Sequence, residues 1–85
     1  MVTKEQNYVE WALLLQELED AREHLEKLAH DMVSDPEFDE IEFRSQLEHI
    51  YSHLNRAWNG RNETQEWTDE QLKAFCSFPS DLQPS

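Results

Sequence analysis

Residues 3–33, TKEQNYVEWALLLQELEDAREHLEKLAHDMV, decide the fold. Apolar side chains recur every seven positions at Trp11, Leu18, Leu25 and Met32, and a second row of the same period runs through Leu14, Ala21 and Leu28. On a helix of 3.6 residues per turn this spacing holds both rows on one stripe. At 1.5 Å per residue such a helix is roughly 45 Å long. A compact globule of this chain length has a radius of gyration of only about 12 Å. The pattern therefore predicts a rod organised around one long amphipathic helix.

The ends of the elements follow from their punctuation. Thr3 with Gln6 has the spacing of a capping box, which starts helix 1 near residue 3. Ser34 with Glu37 repeats that spacing, Pro36 suits a first turn, and Val33 with Phe38 stand as a hydrophobic staple. Helix 1 is thus expected over about 3–33 and helix 2 over about 35–59, with almost no loop, which favours an antiparallel hairpin. Helix 2 carries Phe43, Leu47, Ile50, Leu54 and Ala57 on its apolar stripe and stops at Gly60, a natural residue for a helix end. Thr68 with Gln71 opens a short helix 3 over about 69–77, with Trp67 and Leu72 as its staple, and residues 79–85 read as a frayed tail. The segment from Tyr8 to Leu15 is apolar on nearly every side, so helix 3 is expected to fold over that collar. The fold class is all-α: a long antiparallel helical hairpin plus a short C-terminal helix in one domain, able to pair into a dimer like a four-helix bundle.

Composition narrows the function. The chain has one glycine and three prolines, too few for a turn-rich β fold. A single cysteine, Cys76, excludes an intrachain disulfide, and no zinc-finger spacing is present. No secretory leader and no apolar run of ~20 residues is visible, so a reducing cytoplasmic setting is expected, and the Asn62-Glu63-Thr64 sequon is read as chance. The net charge is −12, with thirteen acids and three bases in residues 1–42. Such a surface repels nucleic acid and anionic membranes and attracts a basic partner.

Each candidate chemistry has a plainer reading beside it. His49 and His53 lie four apart on helix 2, and with His24 they are candidates for a metal, with Asp20 or Glu23 available to complete the set. No His-Glu-x-x-His or Glu-x-x-His pattern accompanies them, so histidines bordering the seam without a metal are the simpler expectation, and no cofactor is assigned. The run Asp35, Glu37, Asp39, Glu40, Glu42 lacks the Gly and Glu of a calcium loop and complements the dipole of helix 2. Its excess charge is a candidate docking patch for a basic protein. Cys76 sits between Phe75 and Phe78, a setting that does not activate a thiol, and no phosphate loop or nucleophile elbow occurs.

Trp58-Asn59-Gly60 resembles the Trp-x-Gly turn of the small helical hairpins exported by type VII secretion. In that family the turn joins two long helices near mid-chain, whereas here a short loop and a short helix follow, so no family is assigned.

The sequence thus points to a non-catalytic, acidic protein-interaction module. It is expected to act as a homodimer, by docking on a basic partner, or both, with Tyr8, Trp11 and Leu15 at or near the interface. Two alternatives stand beside it: an acidic antagonist of the immunity, antitoxin or nucleic-acid-mimic type, and a small metal-binding bundle using His24, His49 and His53.

Overall fold

The computed structural model describes residues 1–85 and contains three helices and no strand: α1 (Tyr8–Ser34), α2 (Glu40–Asn59) and α3 (Asp69–Phe75). The molecule is elongated, measuring 47 × 29 × 24 Å, with a radius of gyration of 14.8 Å. Helices α1 and α2 run antiparallel, as three cross-links show. Gln46 bonds to Asp31, His49 lies against His24, and His53 lies against Glu17, so α1 numbers fall as α2 numbers rise.

Helix α1 begins five residues later than the Thr3 capping pattern predicts. The pattern does form, with Gln6 N–H donating to Thr3 Oγ1, but it closes only one turn. Asn7 then leaves the helical region at φ −131°, ψ 57°, and its side chain accepts from Thr3 N–H rather than capping α1. The N-terminal segment instead runs back to the open end of the hairpin. There Val2 is buried and its N–H donates to the Arg61 carbonyl at 2.7 Å.

The start of α2 also moves. Ser34 does not cap it, because its hydroxyl donates to the His30 carbonyl within α1. Asp35 accepts from Glu37 N–H in a local turn, and Asp39 is the true N-cap, accepting from Glu42 N–H at 2.9 Å. Val33 is 90% exposed and staples nothing. Phe38, now the residue before the cap, meets Phe43 with ring centroids 6.2 Å apart. A staple therefore forms, five residues later than the sequence suggests.

Of the two apolar rows on α1, only one is the seam. Leu14, Ala21 and Leu28 are buried on α1, and Ile50 is the buried apolar residue of α2. Leu18, Leu25 and Met32 are 47%, 54% and 55% exposed, so they line one side of the seam rather than filling it. A pair of helices can enclose a strip about one side chain wide, and a stripe twice that width spills onto a face.

Helix α3 flanks the Tyr8–Leu15 collar without packing on it: Leu72 and the preceding Trp67 line an open pocket with Val9, Leu13 and Leu14. The helix packs on α2 and makes no close backbone approach to α1. The amide of Asn59 donates to the carbonyls of Phe75 and Ser77, and that of Asn55 donates to the Cys76 carbonyl, all at 2.8–2.9 Å. These two asparagines satisfy carbonyls that the C-terminal end of a helix leaves unpaired, and they fix α3 to the outer side of α2. The Thr68–Gln71 capping box forms in both directions, and α3 ends at Phe75.

Candidate functional site

The seam divides the hairpin into two unlike faces. On one of them α1 contributes His24 and Glu17, and α2 contributes His49, His53 and Arg56. Positions 49 and 53 share a side of α2 because they are one turn apart, and the antiparallel register carries His24 to the same height. The Nε2 atoms of His24 and His49 are 3.1 Å apart. Their rings meet edge to face at 4.3 Å between centroids, while His53 stacks on His24 at 5.3 Å and meets His49 edge-on at 4.9 Å. One ligand nitrogen from each ring lies within 4.8 Å of the other two.

Burial is graded across this cluster. His49 is exposed, His24 half-buried and His53 buried, at 7% exposure. The His53 Nδ1 edge faces the Glu17 carboxylate at 3.2 Å and an Arg56 guanidinium nitrogen at 2.8 Å, while Arg56 Nε donates to Glu17 at 2.9 Å. The other ring nitrogen, His53 Nε2, is buried without a hydrogen-bond partner. Desolvation is the first cause that holds the His49 imidazole below the ordinary histidine value. The charges of His24, His53 and Arg56 add to it, and Asp20 opposes them. A shallow polar groove lies over His24 and His49, edged by Lys27, Gln46 and Glu48.

Glu17 and Arg56 belong to no motif in the sequence, where Glu17 is one of many acids along helix 1. Arg56 lies three residues after His53, and this spacing was the available signal. Of the acids considered beside His24, Asp20 accepts from Gln16 and acts on His49 through its charge, and Glu23 is exposed.

The opposite face is apolar. Trp11, Leu15 and Leu18 of α1 and Leu54, Ala57 and Trp58 of α2 line an open trough. Leu25, Phe43 and Leu47 continue it toward the turn by their seven- and four-residue spacing. Tyr8, the third residue assigned to an interface, is exposed at the start of α1.

The acidic tip is partly occupied with its own backbone. Asp35 and Asp39 accept N–H groups, and Glu42 accepts from Gln46, whereas the carboxylates of Glu37 and Glu40 are exposed and accept no hydrogen bond. Cys76 is half-buried, with an Arg56 guanidinium nitrogen 3.2 Å from its sulfur and its thiol donating to the Leu72 carbonyl. Its surroundings are therefore less apolar than its two phenylalanine neighbours imply.

No helix is long and apolar enough to cross a membrane. Comparison with protein-family models, curated proteins and solved structures gives no match. What the geometry defines is an all-α hairpin with one polar, imidazole-bearing face and one open apolar face.

Proposed function

We propose that the protein is a non-catalytic interaction module that works as a homodimer, with its apolar face closed by a second copy into a four-helix bundle. The observation that carries this reading is the run of half-exposed Leu18, Leu25 and Met32 beside Phe43 and Leu54 along the hairpin. Apart from Pro79, only five apolar side chains are buried in the single chain, which leaves the monomer with little core for its length. No residue of α3 lines this face; at its open end Met1 and Arg61 join the lining and Asp81 accepts from Trp58, while the rest stays uncovered.

A second copy fits the charge as well as the shape. The acids gather toward the turn, from Asp31 to Glu42, and two-fold antiparallel pairing puts the two tips at opposite ends of the bundle. They are then separated by far more than the Debye length of about 8 Å at physiological salt. Leu, Phe and Trp side chains at these positions are of the kind that interdigitate in such bundles. The single free thiol suits a reducing cytoplasmic compartment.

Sedimentation velocity over a range of micromolar concentrations in physiological salt tests the reading. A species of twice 10.2 kDa, reduced to the monomer by Leu18→Glu, supports it. A concentration-independent monomer would refute the dimer and leave the apolar face to a different protein, with a basic partner next to be tried.

A further inference from the structure

We infer that His24, His49 and His53 form a binding site for a divalent first-row transition ion of the zinc, nickel or copper kind, on the face opposite the apolar trough. The spacing is the first support. Two nitrogens bound to one ion at about 2.0–2.1 Å, with an angle between 90° and 109°, stand roughly 2.8–3.4 Å apart. His24 Nε2 and His49 Nε2 stand 3.1 Å apart.

His53 supplies the second, independent observation. Its Nε2 is buried with no partner, although buried polar nitrogens are nearly always bonded. The ring belongs to the same cluster, stacked on His24 and edge-on to His49. The three ligand nitrogens spread over as much as 4.8 Å, so the His53 ring must draw in toward an ion held by the other two imidazoles, which would then give Nε2 the partner it lacks.

The groups behind His53 prepare it for that role. A ring nitrogen that binds a metal carries a lone pair, so the proton must sit on the other nitrogen. Glu17 lies 3.2 Å from His53 Nδ1 and can accept that proton's hydrogen bond, the carboxylate–imidazole–metal relay common at metal sites. Arg56 competes for the same nitrogen at 2.8 Å, but its Nε also donates to Glu17 at 2.9 Å. Binding the ion moves the proton to Nδ1 and leaves Arg56 paired with the carboxylate, which offsets its charge. Three imidazoles select zinc, nickel or copper over magnesium and calcium, which require oxygen ligands. The groove over His24 and His49 admits solvent to complete the coordination shell.

Such an ion would join α1 to α2 at mid-length and would bind only the folded hairpin. Calorimetric titration of the full, untagged chain with zinc chloride, and separately with nickel chloride, tests the site. One ion per chain is expected, together with a rise in melting temperature. His24→Ala and His49→Ala, both at positions that are not buried, should each weaken binding at least tenfold. His30→Ala, on the same helix but outside the cluster, should leave it unchanged. Far-ultraviolet circular dichroism of each variant confirms that it is folded. Absence of binding by either metal in the wild type would overturn the site, as would retention of full affinity in the folded His24→Ala/His49→Ala double variant.

Discussion

The indole of Trp67 lies over Gly60, in the space that a side chain at residue 60 would need. A Cβ built on Gly60 would overlap the ring at three of its carbons. The backbone there is ordinary, at φ −92°, ψ 4°, so glycine is required for this close approach and not for a left-handed helix end. Trp67 in turn meets Phe75 edge to face at 5.1 Å, which ties the loop after α2 to α3. Gly60→Ala should therefore destabilise the fold by about 1–3 kcal/mol, the usual cost of overpacking. In a Trp67→Ala background the same change should cost much less, and urea unfolding of the four proteins measures the coupling.

The seam and the apolar face should respond differently to truncation. Leu28→Ala removes a buried side chain and should cost roughly 2–5 kcal/mol at any protein concentration. Leu25 is half-exposed in the single chain, so Leu25→Ala should cost little in dilute solution and more as concentration rises and dimers form. Unfolding midpoints at two concentrations, about fiftyfold apart, separate the two cases. Equal, concentration-independent losses would place Leu25 in the seam.

Capping at the start of α2 distinguishes the Ser34 register expected from the sequence from the Asp39 register observed. Asp39→Ala should cost about 0.5–2 kcal/mol, because Asp39 accepts the Glu42 N–H. Ser34→Ala should stay within about 0.5 kcal/mol, since the Ser34 hydroxyl donates only to the His30 carbonyl of its own helix. Thermal melts of both variants decide the point.

Asp31 should make stability depend on acid. The hydrogen bond from Lys27 is the first cause that lowers its carboxyl below the ordinary aspartate value, with that from Gln46 second. Folding therefore favours the ionised form, so this contribution is complete above the ordinary aspartate value and disappears as pH falls through the lowered one. The melting-temperature difference between wild type and Asp31→Asn should be present at pH 6 and vanish on acidification below that range. Lys27 is raised by the same pair, and its contribution is lost only when pH climbs past the ordinary lysine range. Differential scanning calorimetry from pH 2.5 to 6 measures the first effect.

Much of the fold was legible in the chain itself. The seven-residue period from Trp11 to Met32 determined a long helix, the stripe from Phe43 to Ala57 determined its partner, and Thr68 with Gln71 determined a third helix whose capping box forms as written. These are local matters of period and backbone hydrogen bonding, set by residues within a turn or two of each other. Capping patterns were less reliable where two were possible. Ser34 and Asp39 each precede a glutamate by three residues, and the choice between them depends on how the chain turns.

The three-dimensional structure alone decided which row of α1 is the seam, where α3 lies and what surrounds the histidines. Both rows of α1 have the same period, and only the width of the contact with α2 buries Leu14, Ala21 and Leu28 while leaving Leu18 and Leu25 at its edge. Helix α3 follows the amides of Asn55 and Asn59, whose partners are carbonyls some twenty residues away, and no pattern of hydrophobicity records such bonds. The imidazole cluster depends on the register that sets residue 24 beside residue 49 and residue 17 beside residue 53. Sequence spacing carries a residue around its own helix, but the height at which two helices meet is fixed only when their side chains pack.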